Sequence, residues 1–443
     1  MRILFISNDL IAGNLALILQ REGHDVRLYI DDTDRRDNFI NLIHQTNDWR
    51  SELDWVGTDG LIVFDDVGYG EIQDNLRLQG FQVVGGSLIG DRLEQDRVFG
   101  HDIFKSVGMT TVPLYDFKNS AEALSFVREH PGMWVIKQNN HHYSKILNYV
   151  GQFADGRDVI DMLEQYAKHP DHSREKITLQ ERIHGIEIGI GRYFNGHDWV
   201  GPIEYNLEHP HFFPGNIGPL TSEMGTVAWY DDNEHGKLYR ETLSRMRDLL
   251  RDAHFHGDFE INCIVNETGA YPLEATSRFG SPIVHLHSEI HTSPWGEFLL
   301  AIAQGKSYNL QWKKGFGIVT VLAVPPFPYA SAETNDGILK GTPIYVDDVT
   351  SEEWNHIHLE EVAFSKEHNR YYISDTRGYV MYITALGKTI SEAQKKSHAL
   401  IQKIIFPKKM YRNDIGSQFE RYDFDTLQRW GWIQKTNSFL SWL

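Results

Sequence analysis

Within its first ninety residues the chain alternates short apolar runs with helical stretches. "RILFIS", "DVRLYI", "GLIVF" and "FQVVGG" are separated by segments such as "NLALILQREG", whose apolar residues recur at three and four. Strands that follow one another in this way pair in parallel through crossover helices, so the alternation predicts a doubly wound α/β domain. Ligands of such sheets bind beyond the carboxyl ends of the strands, which makes "SNDLIAGN", with Asn8 and Gly13, a candidate pocket edge. Gly13 is its only glycine. A pyrophosphate cannot approach such a loop as it does a G-x-G-x-x-G turn, and a dinucleotide-dependent dehydrogenase is disfavoured.

One such sheet does not use up 443 residues. From Asp91 to Gly108 the spacing predicts a helix, and "SAEALSFVREH" predicts another, capped by Ser120. "MWVIKQ" reads as a strand carrying Lys137, "KITLQERIHGIEIGIGRYFNG" as paired strands around Gly185, and Pro210 to Met224 as a long loop. A helix follows from about His235 to Ala253, then the hairpin "FEINCIVNETGAYPLEA". The last third is strand-rich with one amphipathic helix, "SEAQKKSHALIQKI". These elements predict an N-terminal parallel domain over 1–93, a central unit over 94–313 with a small flap at about 112–184, and a β-rich unit over 314–443.

Composition narrows the function. Acidic residues outnumber basic ones, 61 to 43, for a net charge of −18, which argues against a nucleic-acid surface but leaves room for an anionic ligand in a local cationic pocket. The single cysteine, Cys263, excludes internal disulfides and multi-cysteine metal sites, and inside "FEINCIV" it reads as a buried hydrophobe. No apolar run approaches the ~20 residues of a membrane span and the start lacks the order of a signal peptide, so the expected setting is cytoplasmic, without membrane partners. The histidines of "HPHFF" and "HLHSEIH" read as surface or substrate-loop residues rather than transition-metal ligands.

Several features can serve one ligand. Lys137 is an ammonium in an apolar strand and Arg97 a guanidinium at a helix start; each alone reads as a snorkelled or paired cation, and together they suit phosphates. "QERIHGIE" offers backbone groups at Arg182 and Ile183 to an adenine edge and the Glu187 carboxylate to ribose hydroxyls, or it is a plain turn. In the hairpin, Glu260 and Asn262 share one face and the partner strand brings Glu274 beside them. Mg²⁺ (or Mn²⁺) takes one or two such carboxylates plus nucleotide phosphates. The four features together describe an ATP site.

Their order from Asp59 onward resembles the glycinamide ribonucleotide synthetases (phosphoribosylamine–glycine ligases) of the ATP-grasp superfamily. The resemblance rests on "DGLIVF", "GFQVVGGS", "LEQDRVF", "VIKQNN", "QERIHGIEIG", "GPLTSEMG", "LEATSRFG", "VPPFPYA", "GILKG" and "YRNDIG", and covers nearly the whole chain. It implies a central ATP-grasp fold and an ADP-forming carboxylate–amine ligase acting through an acyl phosphate. Glycine and phosphoribosylamine are the implied substrates, another carboxylate and amine the alternative, a non-catalytic nucleotide-binding protein a further one, in a monomer or homodimer. The resemblance assigns ATP contacts to Arg97, Lys137, Gln180, Glu181, Arg182, Ile183 and Glu187, metal binding to Glu274 with Glu260 and Asn262, and catalytic roles to Arg278 and to Lys145 of the flap. Asn8, Gly13, Gly218, Thr221, Met224, Gly225 and Thr276 fall on the substrate side. The chain departs from the pattern where the family's G-G-R-E-H-A is "NDLIAGN", where its N-A-R-F-G-D-P-E is "TSRFGSPI", and in the flap, which reads "NNHHYSK".

Overall fold

The computed structural model describes residues 1–138, 148–168, 176–329 and 339–434. Strands β1 (Arg2–Ser7), β2 (Asp25–Ile30), β3 (His44–Thr46), β4 (Leu61–Phe64) and β5 (Val83–Val84) form the predicted parallel sheet, in the order β3-β2-β1-β4-β5. Strand order reverses between β1 and β4, so the open crevice of this sheet lies where Ser7 and Phe64 end. Helix α1 (Gly13–Arg21) starts on a buried glycine. A Cβ there would lie 2.9 Å from the Phe39 ring, a packing reason for glycine at this position.

Two helices expected as continuous are broken by single residues. The stretch 91–108 belongs to two helices, Leu88–Gln95 and Arg97–Ser106, because Asp96 is extended and its carboxylate accepts the Phe99 N–H at 3.1 Å, capping a new start. The helix expected over 235–253 is the three pieces Lys237–Glu241, Leu243–Met246 and Arg247–Asp252, interrupted at Thr242 with φ −128° and ψ −93°. Asn119 rather than Ser120 caps the helix Ser120–Glu129; its side chain accepts the Glu122 N–H at 3.0 Å.

The flap sheet contains β6 (Leu114–Phe117), β7 (Trp134–Gln138), β8 (Tyr149–Val150) and β9 (Ile177–Glu181), ordered β6-β9-β7-β8. Strand β9 does not pair with β10 (Ile186–Asn195), as the pattern around Gly185 predicts; it lies between β6 and β7. Gly185 is where the chain leaves one sheet for another, so close to the Val265 carbonyl that a Cβ would sit 2.3 Å from its oxygen. After β11 (Trp199–Glu208), part of the expected 210–224 loop is a hairpin of β12 (His211–Phe213) and β13 (Ile217–Leu220). Then come β14 (Gly225–Asp231), β15 (His256–Val265), β16 (Ala270–Thr276) and β17 (Phe316–Ala323).

The last third adds β18 (Pro343–Val346), β19 (Ile357–Leu359), β20 (Val362–Ser365), β21 (Arg370–Ile373), β22 (Tyr379–Gly387), the helix Ile390–Gln402 and β23 (Ile404–Ile405). Strands β17, β22 and β19 extend the central sheet to eight, β16-β15-β10-β11-β14-β17-β22-β19, so backbone pairing is continuous across residue 313. No helix of the described residues is long and apolar enough to cross a membrane.

The first and last thirds are joined by a buried ion cluster. The Arg35 guanidinium, 2% exposed, donates to Asp9 (2.8 Å), Glu360 (2.9 Å), Glu361 (3.4 Å) and Asp375 (3.2 Å). Burial pushes Glu360 up to about 7 despite Arg35, so its charge leans on that guanidinium, whereas Asp9 is also held by Arg377 and Asp375 by Asn38. Arg35→Leu should therefore cost about 3–5 kcal/mol, the usual cost of removing one partner of a buried ion pair, read as a lowered urea midpoint. An unchanged midpoint would show that the cluster does not hold the two parts together.

Candidate functional site

The central sheet lays side chains in two rows. Across β11, β10, β15 and β16 the register aligns Asn206, Gly189, Asn262 and Glu274 in one row, and Glu204, Gly191, Glu260 and Thr276 in the next. Directly opposed residues share a face. The glycines matter because β10 lies between the acidic strands: a Cβ on Gly189 would sit 2.3 Å from Asn206 Oδ1 and 2.5 Å from Glu260 Oε1. Side chains from β11 and β15 thus meet across β10.

At one end of these rows opens a cleft of about 1650 Å³, walled by Arg97, Glu187, Thr221, Glu274, Thr276 and Arg278, among others. Sequence reasoning selected all six. Its wall begins again at Gly185, two residues past the expected adenine hinge. In that hinge Gln180 is buried within the flap sheet and Glu181 is exposed at the end of β9. The Arg182 N–H is already donated to Met133 O at 2.8 Å, leaving Ile183 as the hinge position whose N–H takes no hydrogen bond among the described residues. The Arg182 guanidinium binds Gly151 O and Gln152 on the flap, each at 2.8 Å.

Lys137 feels Arg97, Glu187 and Glu274, which places it with the cleft groups. Burial, then the neighbouring Arg97 charge, lower its pKa to about 8. Glu187 moves the other way, to about 7, through burial and the Glu274 charge. Glu208 rises to about 8 by burial and by Glu187 and Glu274, and Glu260 is raised well above its ordinary value by burial and Glu204. A site that raises carboxylates and lowers an ammonium disfavours charge of either sign, until ligands of opposite charge arrive.

The donor set fits a hard cation. Asn262 Nδ2 donates to Glu208 Oε1 at 3.1 Å, while its Oδ1 is buried without a hydrogen-bond partner. An orphaned amide oxygen beside Glu274 and Glu260 is a natural Mg²⁺ ligand. No group of three or more His, Cys, Asp and Glu side chains converges as a metal site among the described residues. Mg²⁺ needs fewer from protein, since phosphates complete its shell.

Arg278 is less free than its position after Glu274 suggests. Its Nε donates to Glu94 at 3.0 Å and lies 3.8 Å from Asp66, and it donates to Phe279 O at 2.9 Å. Asn8 reaches the same group through Asp66, at 3.4 Å. Of the residues in "GPLTSEMG", Thr221 walls the cleft and bonds Pro210 O, whereas Met224 and Gly225 pack in the core and Gly218 lies within β13, with φ +86° where the hairpin register shifts. Lys145 lies outside the described residues.

Sequence reasoning missed Glu94, Asp66, Glu204 and Glu208. The last two had a signal: in "IEYNLE" of β11, Glu204, Asn206 and Glu208 alternate as a polar stripe of period two on a buried strand. The histidines expected at the surface include buried ones. His287 Nε2 bonds Glu204 at 2.6 Å and its Nδ1 meets Tyr193 OH at 3.1 Å, and Gly416 N donates to His209 Nε2 at 2.9 Å. These rings satisfy polar groups that burial would otherwise strand. Cys263 is buried, as expected, and burial pushes its thiol far up.

Residues 95–283 match the family described as phosphoribosylglycinamide synthetase, ATP-grasp (A) domain. A phosphoribosylamine–glycine ligase of Clostridium acetobutylicum is 25% identical over 358 residues, covering 78% of this chain and 81% of that protein. The crystal structure of the Thermotoga maritima phosphoribosylamine–glycine ligase superposes with TM-score 0.68 at 18% identity, over 94% of this chain and 100% of that one. The biotin carboxylase domain of Hydrogenobacter thermophilus 2-oxoglutarate carboxylase, solved with MgADP and bicarbonate, gives 0.63 at 12% identity over 97% of each chain. Residues 95–283 thus match an ATP-grasp domain, and over most of its length the chain is similar to proteins named phosphoribosylamine–glycine ligases, whose fold it shares.

Ligand-free Lys137 must take up a proton to meet a phosphate when the pH is above about 8. Nucleotide affinity measured by calorimetry should fall as pH rises through that value. Lys137→Ala should weaken binding by about tenfold or more, the worth of one charge-assisted hydrogen bond, and flatten the profile. A pH-independent wild-type affinity would remove Lys137 from the phosphate site.

Proposed function

We propose that this chain is an ATP-grasp ligase that activates a small carboxylate as an acyl phosphate and passes the acyl group to an amine. The observation that carries this reading is the convergence of Arg97, Glu187 and Glu274 on one cleft, with Lys137 within electrostatic reach of all three, beside the orphaned Asn262 oxygen. Lys137 and Arg97 hold the nucleotide phosphates, Glu187 accepts from the ribose hydroxyls, and the Ile183 N–H meets the adenine edge. Glu274, Asn262 and Glu260 hold Mg²⁺, which when bound neutralises charge on the transferring phosphoryl group. The flap and the Arg278 side place the carboxylate oxygen in line with the γ-phosphorus. One P–O bond forms as ADP leaves; the amine then attacks the acyl carbon, phosphate departs, and the amine proton passes to solvent or a cleft base.

Positioning and charge neutralisation account for most of such catalysis, so the residues need not supply a nucleophile. The relatives named phosphoribosylamine–glycine ligases make glycine the first carboxylate to test and phosphoribosylamine the first amine. The acidic excess supports small-molecule rather than nucleic-acid partners, and a cytoplasmic monomer or homodimer is the setting proposed with it.

ADP release should require both a carboxylate and an amine, with release in the absence of amine limited to slow leakage of the acyl phosphate. Glu274→Gln should reduce turnover by about a hundredfold or more while the melting temperature stays within a few degrees, because it removes a metal ligand without changing shape. Full activity in that variant would refute the magnesium assignment.

A further inference from the structure

The metal side of the site is tied to a residue that does not wall the cleft. His287, on the helix Ile283–Ile290, is buried with both ring nitrogens engaged: Nε2 meets Glu204 Oε2 at 2.6 Å, and Nδ1 meets Tyr193 OH at 3.1 Å with Asp258 4.0 Å away. An ionised carboxylate only accepts, so Nε2 carries the hydrogen. The contacts run on from there. The other Glu204 oxygen, Oε1, accepts from Asn206 Nδ2 at 2.6 Å, and Asn206 also hydrogen-bonds Glu260. An amide NH₂ has two hydrogens, one for each carboxylate, so the Asn206 nitrogen faces both acids. Its oxygen, which has no hydrogen-bond partner, cannot change places with the nitrogen without setting acceptor against acceptor.

Both Glu204 oxygens are thus committed, one to each neighbour. Glu204 and Glu260 flank Gly191 in one row, where a Cβ would lie 3.4 Å from Glu204 Oε2 and 3.4 Å from the Glu260 Cβ. Two carboxylates across a glycine repel each other. The His287 hydrogen bond holds Glu204 toward its own helix, and Asn206 is then free to hold Glu260 over Gly189, where the missing side chain leaves the two room to meet. None of His287, Tyr193, Glu204, Asn206 and Glu260 is more than 6% exposed, so each of these bonds is made where water does not weaken it.

We propose that His287 is a positioning residue for the metal side of this site: it fixes Glu204, Glu204 fixes the Asn206 amide, and that amide sets where the Glu260 carboxylate stands beside the row of Asn262 and Glu274. This rests on the reading of Glu260 as a metal-side group and adds to it a residue that acts only through others.

The test follows ADP binding to the full chain by calorimetry over a range of free Mg²⁺, a readout that needs no turnover. His287→Leu should raise the Mg²⁺ concentration for half-maximal effect by about tenfold, the usual cost of losing an outer partner of a metal ligand, while ADP affinity without Mg²⁺ changes by less than about twofold. His287→Gln, whose amide nitrogen can take the place of Nε2, should bring the Mg²⁺ requirement to within about threefold of wild type, and Asn206→Ala, which cuts the next link, should raise it as His287→Leu does. If His287→Leu does not fold, the contrast between His287→Gln, near wild type, and Asn206→Ala, raised, carries the test. An equal loss of ADP affinity with and without Mg²⁺, a requirement raised as far in His287→Gln as in Asn206→Ala, or one unchanged in Asn206→Ala overturns the positioning role. Glu274→Gln separates that outcome from failure of the metal reading. No Mg²⁺ effect in the wild type, or an unchanged requirement in Glu274→Gln, overturns the metal reading and this inference with it; a requirement raised by Glu274→Gln and not by the His287 and Asn206 variants overturns this inference alone.

Discussion

Burying carboxylates without cations is the constraint around which this molecule is arranged. Glu204, Glu208, Glu260 and Asp258 all face one side of a sheet that also forms the main core, and burial raises Glu208 to about 8, Asp258 to about 7 and Glu260 well above its ordinary value. The chain tolerates them through local partners: Asn206 donates to Glu204 at 2.6 Å, Asn262 to Glu208, and His287, raised by Glu204 against the effect of burial, faces both Glu204 and Asp258. Such a face is poorly satisfied when empty and well suited to a cation with its phosphates. Binding and folding therefore draw on the same electrostatics, and the glycines of β10 leave the space for both.

The same logic operates in reverse at the N-terminal edge. There guanidiniums stand among the carboxylates, and their ion pairs tie the loop after β1 to the last third of the chain. Asp9 is bound by both Arg35 and Arg377, so "SNDLIAGN" is anchored from the other side of the molecule. Asn14 of α1 adds neutral contacts to the same region, donating to His358 Nδ1 at 3.0 Å and accepting the Leu359 N–H at 2.9 Å.

How far the sequence could be read depended on the range of the interaction. The parallel sheet and the β15–β16 hairpin were legible because periodicity of two or three to four and local turn chemistry dictate them, whereas Arg97, Glu187 and Glu274, which meet at the cleft, stood out by charge and motif order. The breaks at Asp96 and Thr242 were not, because the apolar spacing continues across both and only a cap or one backbone dihedral pair interrupts it. The expected pairing of β9 with β10 failed for a related reason: a glycine between two alternating runs looks alike whether the chain turns back or crosses to another sheet. Arg35, Asp65, Asp66 and Glu94 were invisible, since their partners lie tens to hundreds of residues away and nothing in the local pattern marks a surface-type residue as buried.

The two halves of "LEATSRFG" thus differ in what they can be asked to do. Glu274 stands in register with Asn262, and Thr276 with Glu260, so the metal side is fixed by backbone pairing that a side-chain substitution does not shift. Arg278, past the end of β16, is positioned instead by Glu94 and Asp66, groups of the helix Leu88–Gln95 and the end of β4. Its charge is already partly spent before a substrate arrives. A guanidinium held between two carboxylates belongs to a group of net negative formal charge, so it adds little attraction for an anion approaching from the side of Asp66. The two rows of the central sheet do not include Arg278 or its partners, so a change at Glu94 or Asp66 leaves the register of Asn262 with Glu274 untouched.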